Sequence, residues 1–193
     1  MKEIRKGASS KIQLFSGRVV DPLRPDPAWI DPVDIAHSLG QLARYTGHMC
    51  EFYSVGEHSV HVSQACDPED ALWGLLHDAS EAYLGDMSTP LKHEPTFSDA
   101  YRVAESRLMA AICERFGLPP YQPASVSRAD RAMLERERLA GLPETDEATL
   151  LWEQWTGDVD TSWLPKHCAP QWWNPGVTEA IFIGRLRELE AGR

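Results

Sequence analysis

The apolar positions of this chain recur mostly at three- and four-residue spacing, the period of helices that bury one face. Asp31-Pro32 reads as an N-cap with proline at the first helical position, opening a helix through Ile35, Leu39 and Leu42. Ser54-Val55-Gly56-Glu57 has capping-box spacing and launches a helix that carries His58, Val60, His61 and Val62. Asp67-Pro68 opens a third helix, which holds the pair His77-Asp78 and stops near Gly85. Ser98 caps a fourth through Tyr101, Ala104, Leu108 and Ile112, ended by Gly117 ahead of Pro119-Pro120. A fifth is expected at about 124–140, closing at Gly141, and shorter ones at about 144–155 and 177–190, the last opened by Asn174-Pro175. No run sustains a period of two, although residues 12–20 can form a short strand or hairpin. The predicted fold is all-α: a single-domain helical bundle over residues 31–193, with a short irregular N-terminal arm, residues 1–30, packed on it.

Residues 156–175 break the helical pattern with Trp163, Trp172, Trp173 and three prolines. Two readings stand: a loop pinned to the core by aromatic anchors, which is favoured, or a pocket lid or oligomer contact.

Composition narrows the setting. The 193 residues are 42% apolar and 25% charged, enough for one globular core. The longest apolar stretches are too short to span a bilayer, and Met1-Lys2-Glu3-Ile4-Arg5-Lys6 has no apolar signal core behind its charges, so a cytoplasmic protein without membrane contact is expected. Cys50, Cys66, Cys113 and Cys168 lack the short paired spacing of a zinc knuckle, redox pair or disulfide framework. A net charge of −10 repels a nucleic-acid polymer, but a small anionic substrate remains compatible if a metal ion and a few local cations reverse the field at the site.

The chemistry centres on Leu75-Leu76-His77-Asp78-Ala79-Ser80-Glu81. A histidine and an aspartate sit side by side in an apolar run, where an unpartnered polar group is costly. Glu81 lies one helical turn on, placed to handle protons. His58 stands one turn into a well-capped helix, and Asp130 lies on the same helical face as Val126, Met133 and Leu134, where a carboxylate demands a metal, a network or a cation. Two histidines and two aspartates, His58, His77, Asp78 and Asp130, form a mixed nitrogen and oxygen set suited to manganese, cobalt, iron or zinc, with coordination positions left for water and substrate.

These residues resemble the HD-domain phosphohydrolase superfamily, whose pattern is a histidine, a His-Asp doublet and a distant aspartate. The resemblance is closest to the bacterial 5'-deoxynucleotidases and the phage dATP triphosphohydrolases. It is carried by Ser54-Val55-Gly56-Glu57-His58-Ser59, His77-Asp78-Ala79-Ser80-Glu81, Gly85-Asp86 and Thr89-Pro90-Leu91-Lys92, and it covers roughly residues 35–134. It implies an HD-type bundle, one catalytic divalent metal on His58, His77, Asp78 and Asp130, and cleavage of the 5' phosphate ester of a deoxynucleotide, dNMP or dNTP, dATP among them. By position Glu81 resembles the proton-transfer residue, and Asp86 the carboxylate that orients water or the sugar hydroxyl; a plain helix-terminus loop residue is the other reading of Asp86.

Arg44 resembles the family's phosphate-holding arginine. Relatives often follow it with tryptophan, whereas this chain has Tyr45, able to stack on a base or sugar. Lys92 either adds a cation near the phosphate or is a solvated loop lysine. A second ion such as magnesium on the substrate phosphates is compatible with this chemistry. His48 is a candidate for the pocket mouth, and His61 reads as a satisfied histidine on a packed helix. The implied partner is a small nucleotide, and relatives self-associate, so a homo-oligomer is expected. Other readings are an HD hydrolase of an alarmone or cyclic nucleotide, and a catalytically silent metal or nucleotide sensor, against which intact Glu81 and Asp86 argue.

Overall fold

The computed structural model describes residues 10–157 and 159–193; the charged segment from Met1 to Lys6 lies outside them. The only strands among these residues are β1 (Ile12–Gln13) and β2 (Val19–Val20), an antiparallel pair with Ile12 opposite Val20. Ser16, in the connecting turn, donates its backbone N–H and its hydroxyl to the buried Asp34 carboxylate at 2.7 and 2.8 Å. Those bonds tie the hairpin to α1 (Pro32–Gln41), whose N-cap Asp31 accepts the Val33 N–H at 2.9 Å.

The remaining helices are α2 (Val55–Ala65), α3 (Ala71–Leu76), α4 (Glu81–Leu84), α5 (Thr89–His93), α6 (Pro95–Phe116), α7 (Ala124–Gly141), α8 (Asp146–Thr156) and α9 (Pro175–Ala191). The all-α expectation holds. Three local features differ from the sequence reading. The Ser54 hydroxyl caps α2 by accepting the Glu57 N–H at 3.0 Å, but the Glu57 side chain does not close the box, because it is engaged elsewhere. Helix α6 begins at Pro95, with Glu94 accepting the Thr96 N–H, so Ser98 lies inside it. Finally, the helix expected to run from Asp67 to Gly85 is divided: α3 stops at Leu76, and residues 77–80 form tight turns with bonds from Ala79 to Leu76 (3.0 Å) and from Glu81 to Asp78 (2.9 Å). The Gly74 carbonyl, which a continuing α-helix would offer to the Asp78 N–H, accepts the His77 ring N–H at 2.8 Å.

The main core joins Ile35 and Leu39 of α1, Val60 of α2, Leu75 and Leu76 of α3, Leu108 and Ile112 of α6, and Phe182 of α9. Helices α1, α2 and α9 meet at a point where only glycine fits: a Cβ on Gly56 would stand 2.7 Å from Thr178 Cγ2 and 3.1 Å from Gly40 N. A second cluster, including Trp73, Val126 and Met133, is covered by Leu164 and Cys168 of the segment between α8 and α9.

That segment is irregular, as expected, and anchored rather than loose. Arg136 of α7 donates to the carbonyls of Thr161, Pro165 and Cys168 at 2.8, 2.8 and 3.0 Å. The Glu57 carboxylate accepts the N–H groups of Gln171, Trp172 and Trp173 at 2.5, 3.1 and 2.8 Å. The anchors are therefore polar as well as aromatic. All four cysteines are free, and no described helix is long and apolar enough to cross a membrane.

Candidate metal centre

His58 comes from the second turn of α2, fully buried, and His77 from the turn after α3. Their Nε2 atoms lie 3.2 Å apart. Each ring's other nitrogen is committed: His77 Nδ1–H donates to Gly74, and His58 Nδ1–H donates to the Glu137 carboxylate at 2.6 Å. In the neutral rings both Nε2 lone pairs then face each other, an arrangement that calls for a cation between them. Two imidazole nitrogens each about 2.0–2.1 Å from one ion are separated by roughly 3.0–3.4 Å at ordinary coordination angles, so the observed spacing fits.

Two carboxylates complete the cluster. Asp130 of α7 brings Oδ1 to 3.1 Å from His58 Nε2 and 3.8 Å from His77 Nε2. Asp78 brings Oδ2 to 3.2 Å from His77 Nε2 and 3.8 Å from His58 Nε2. His58, His77 and Asp130 form a group that could hold a metal ion, and Asp78 stands against it. The field at this point is strongly negative. Burial alone would lower His77, but Asp78 and Asp130 outweigh it and push the ring up to about 9. Burial would raise Asp78, yet His77, His58 and Arg44 hold it well below the usual carboxylate range. Positive charge is favoured here, as protons in the free protein or as a metal that displaces them.

Around the cluster lies an open cavity of about 520 Å³. Arg44, Tyr45, Asp78, Glu81, Asp86, Lys92 and Asp130 all line it, with His58 and His77 buried beside it, so the nine sequence-predicted site residues converge on one region. His48 also lines the cavity, as the mouth candidate should. Arg44 reaches it from a strained turn: Tyr45 and Thr46 have φ of 53° and 54°, a left-handed conformation that costs non-glycine residues about 1–2 kcal/mol each. The turn is held by Arg44 N–H on the Tyr53 carbonyl (2.9 Å) and by the Tyr45 hydroxyl on the Leu134 carbonyl (3.0 Å).

Glu81 is buried with one oxygen, Oε1, 3.1 Å from Lys92 Nζ and the other without a hydrogen-bond partner among the described residues. Burial, then repulsion from Asp78 and Asp86, raises its carboxyl to about 8 against the pull of Lys92 and Arg44. Lys92 is thus not a solvated loop lysine. His61 stands outside the centre. It is buried beside Trp173, and among the described residues neither ring nitrogen has a hydrogen-bond partner, Glu57 Oε1 being 3.6 Å away; it is packed but not satisfied.

Two contributions escape the sequence reading. The first is Glu137, fully buried on the same face of α7 as Asp130, bonded through Oε1 to His58 and to the Tyr53 hydroxyl (2.8 Å), and through Oε2 to Arg44 Nε and the Tyr45 hydroxyl, both 3.2 Å. The only signal was its place seven residues, two helical turns, after Asp130. The second is α8, whose Trp152 and Trp155 line the cavity beside Tyr45; the wall comes from the helix before the tryptophan-rich segment and not from that segment. Their four-residue proximity to Leu151 and Thr156 reads in sequence as an ordinary amphipathic helix.

The fold and the cluster together define a helical protein with a candidate His/Asp metal site, which fits an HD-like fold. No family model matches the sequence. The uncharacterized protein YfdR of Escherichia coli (strain K12) is 40% identical over 131 residues, which cover 67% of this chain and 71% of that protein. The uncharacterized protein RCAP_rcc00048 of Rhodobacter capsulatus is 39% identical over 149 residues, covering 69% and 75%. The chain belongs to the family of these two proteins.

Proposed function

We propose that this protein is a metal-dependent phosphohydrolase that cleaves the 5' phosphate ester of deoxynucleotides, releasing a deoxynucleoside and phosphate or a longer phosphate chain. The observation that carries the proposal is the composition of one cavity: a two-histidine, two-carboxylate cluster at its floor, and in its lining two cations, a buried carboxyl with one oxygen paired to Lys92, and the aromatic residues Tyr45, Trp152 and Trp155. Its volume lies within the roughly 300–1,000 Å³ of small-molecule sites.

His58, His77, Asp78 and Asp130 would hold the ion. A divalent transition metal bound there supplies Lewis acidity toward the phosphoryl group and a lowered pKa for water. The guanidinium of Arg44, with Nη1 3.5 Å from Asp78, binds the phosphate oxygens and offsets the charge that develops on them. Lys92 adds a second cation and keeps Glu81 in place. Glu81, beside Asp78 at the cavity wall, handles the proton that must reach the departing 5' oxygen of the nucleoside as water attacks phosphorus. Asp86, exposed at the rim, orients the sugar hydroxyl or the attacking water. Tyr45, Trp152 and Trp155 offer flat faces to the base.

The test is a panel of dNMPs and dNTPs with protein stripped of metal and resupplied with manganese, cobalt or zinc, products being separated by chromatography. Release of deoxynucleoside, lost in Glu81→Gln with metal uptake retained, is the expected result. Nucleotide binding with no turnover for any metal refutes the hydrolase reading and leaves a sensor.

A further inference from the structure

Two parts of the candidate site, a metal-facing imidazole and a phosphate-facing guanidinium, hang from one buried carboxylate. We propose that Glu137 is a positioning residue that orients His58 and Arg44 together, so that the ion and the phosphate are presented to each other at a set spacing. The inference rests on the metal-centre reading above and goes beyond it, since Glu137 neither touches the cavity nor belongs to the cluster.

Each oxygen of Glu137 has its own task. Oε1 accepts from His58 Nδ1 at 2.6 Å, which leaves Nε2 as the ring atom aimed at His77 and Asp130. The Tyr53 hydroxyl donates to the same oxygen at 2.8 Å and stops the carboxylate from turning away. Oε2 accepts from Arg44 Nε at 3.2 Å, which binds the inner edge of the guanidinium and leaves Nη1 to point toward Asp78 and the cavity. The Tyr45 hydroxyl lies 3.2 Å from Oε2 and shares its single proton between that oxygen and the Leu134 carbonyl, so the strained turn that carries Arg44 is held at two successive residues.

The donors around Glu137 come from the turn at 44–45, from Tyr53 and from α2, while the acceptor comes from α7, the helix that also supplies Asp130. Movement of α7 would therefore shift Asp130, His58 and Arg44 in concert. A carboxylate bonded to the far nitrogen of a metal-binding histidine fixes its tautomer and raises its basicity, and loss of such a partner lowers metal affinity by about 10- to 100-fold. A buried carboxylate with only a structural task would cost stability when altered and leave the ion's affinity alone.

The experiment compares Glu137→Gln with the parent and with Asp34→Asn, another buried carboxylate, whose hydrogen bonds go to Ser16. Mn²⁺ and Co²⁺ are titrated calorimetrically into the apo proteins well below each one's Tm, and inorganic phosphate is titrated into the Co²⁺-loaded forms. Expected are a loss of Mn²⁺ and Co²⁺ affinity of about 10- to 100-fold in Glu137→Gln with weaker phosphate binding, and a lowered Tm with metal affinity within about twofold of the parent in Asp34→Asn. Equal metal affinity in the parent and Glu137→Gln overturns the positioning role while the metal centre stands. A parent that takes up neither ion overturns both. Should Glu137→Gln fail to fold, long-range proton–nitrogen correlation spectra of the zinc-loaded parent decide: His58 protonated at Nδ1 supports the proposal, and a proton on Nε2 refutes it.

Discussion

Replacing Glu57 by glutamine tests how the tryptophan-rich segment is held. The parent carboxylate is fully buried and accepts three backbone N–H groups, from Gln171, Trp172 and Trp173. Glutamine keeps the shape but turns one acceptor oxygen into a donor. Its carbonyl can serve two N–H groups, as uncharged bonds worth about 1 kcal/mol less each than those to a carboxylate. The third N–H then faces an NH₂ group, and a buried donor left unpaired costs about 1–3 kcal/mol. The sum is roughly 3–5 kcal/mol, and because Trp172 and Trp173 are only half-buried some relaxation toward solvent favours the lower end, about 3 kcal/mol. For a domain of this size each kcal/mol moves Tm by about 2–4 °C, so a drop of roughly 6–12 °C is expected. Urea unfolding followed by tryptophan fluorescence and by far-UV dichroism measures the loss, and hydrogen exchange at residues 171–173 localises it. A change under about 1 kcal/mol, or unaltered protection of those three amides, would refute the anchoring argument.

Arg136→Met removes the donors to the carbonyls of Thr161, Pro165 and Cys168; a loss of about 2 kcal/mol and faster proteolytic cleavage between residues 159 and 170 are expected, and unchanged cleavage would contradict it. Gly56→Ala places a methyl 2.7 Å from Thr178 Cγ2 and should cost about 1–3 kcal/mol in chemical denaturation, part of which Thr178→Ser restores by removing that methyl; no restoration would mean that the crossing of α2 and α9 is not the obstacle. Glu81 is raised in the folded apo protein to about 8, so between its unfolded value near 4.5 and 8 the folded state binds more protons than the unfolded one. Its contribution is thus full at low pH and lost as pH rises through that window. Apo Glu81→Gln should therefore be the more stable protein at pH 8 and lose the advantage by pH 5; parallel stability curves would sink this account.

Much of this molecule is legible locally. The helices begin where Asp31-Pro32, Ser54 and Asn174-Pro175 supply caps, and α6 ends at Gly117, whose φ of 62° suits glycine. The metal-ligand candidates were readable because their chemistry conflicts with their surroundings: a His-Asp doublet in an apolar run and an aspartate among Val126, Met133 and Leu134 require partners, while Arg44, Tyr45, Asp86 and Lys92 were picked out only by the resemblance. Glu137 gave no such sign, because Glu135-Arg136-Glu137-Arg138 looks like a solvated, charge-alternating surface. In the fold Arg136 and Glu137 point into different contacts, one to the carbonyls between α8 and α9, the other to His58 and Arg44.

The sequence by itself determined the all-α class, most helix ends and the four metal-ligand candidates, because capping, 3.6-residue periodicity and the cost of buried polarity act over a few positions; Arg44, Tyr45, Asp86 and Lys92 came from the resemblance alone. Only the tertiary structure decided that the helix around His77-Asp78 breaks after Leu76, that Glu57 leaves its capping box to hold residues 171–173, and that Trp152 and Trp155 wall the cavity. Glu57 and the two tryptophans leave a local hydrogen bond or surface for partners far along the chain, and His77 takes the nearby Gly74 carbonyl with one ring nitrogen while the other faces His58 and Asp130. Such choices depend on which groups the packing brings within about 3 Å, a distance that no spacing in the sequence specifies.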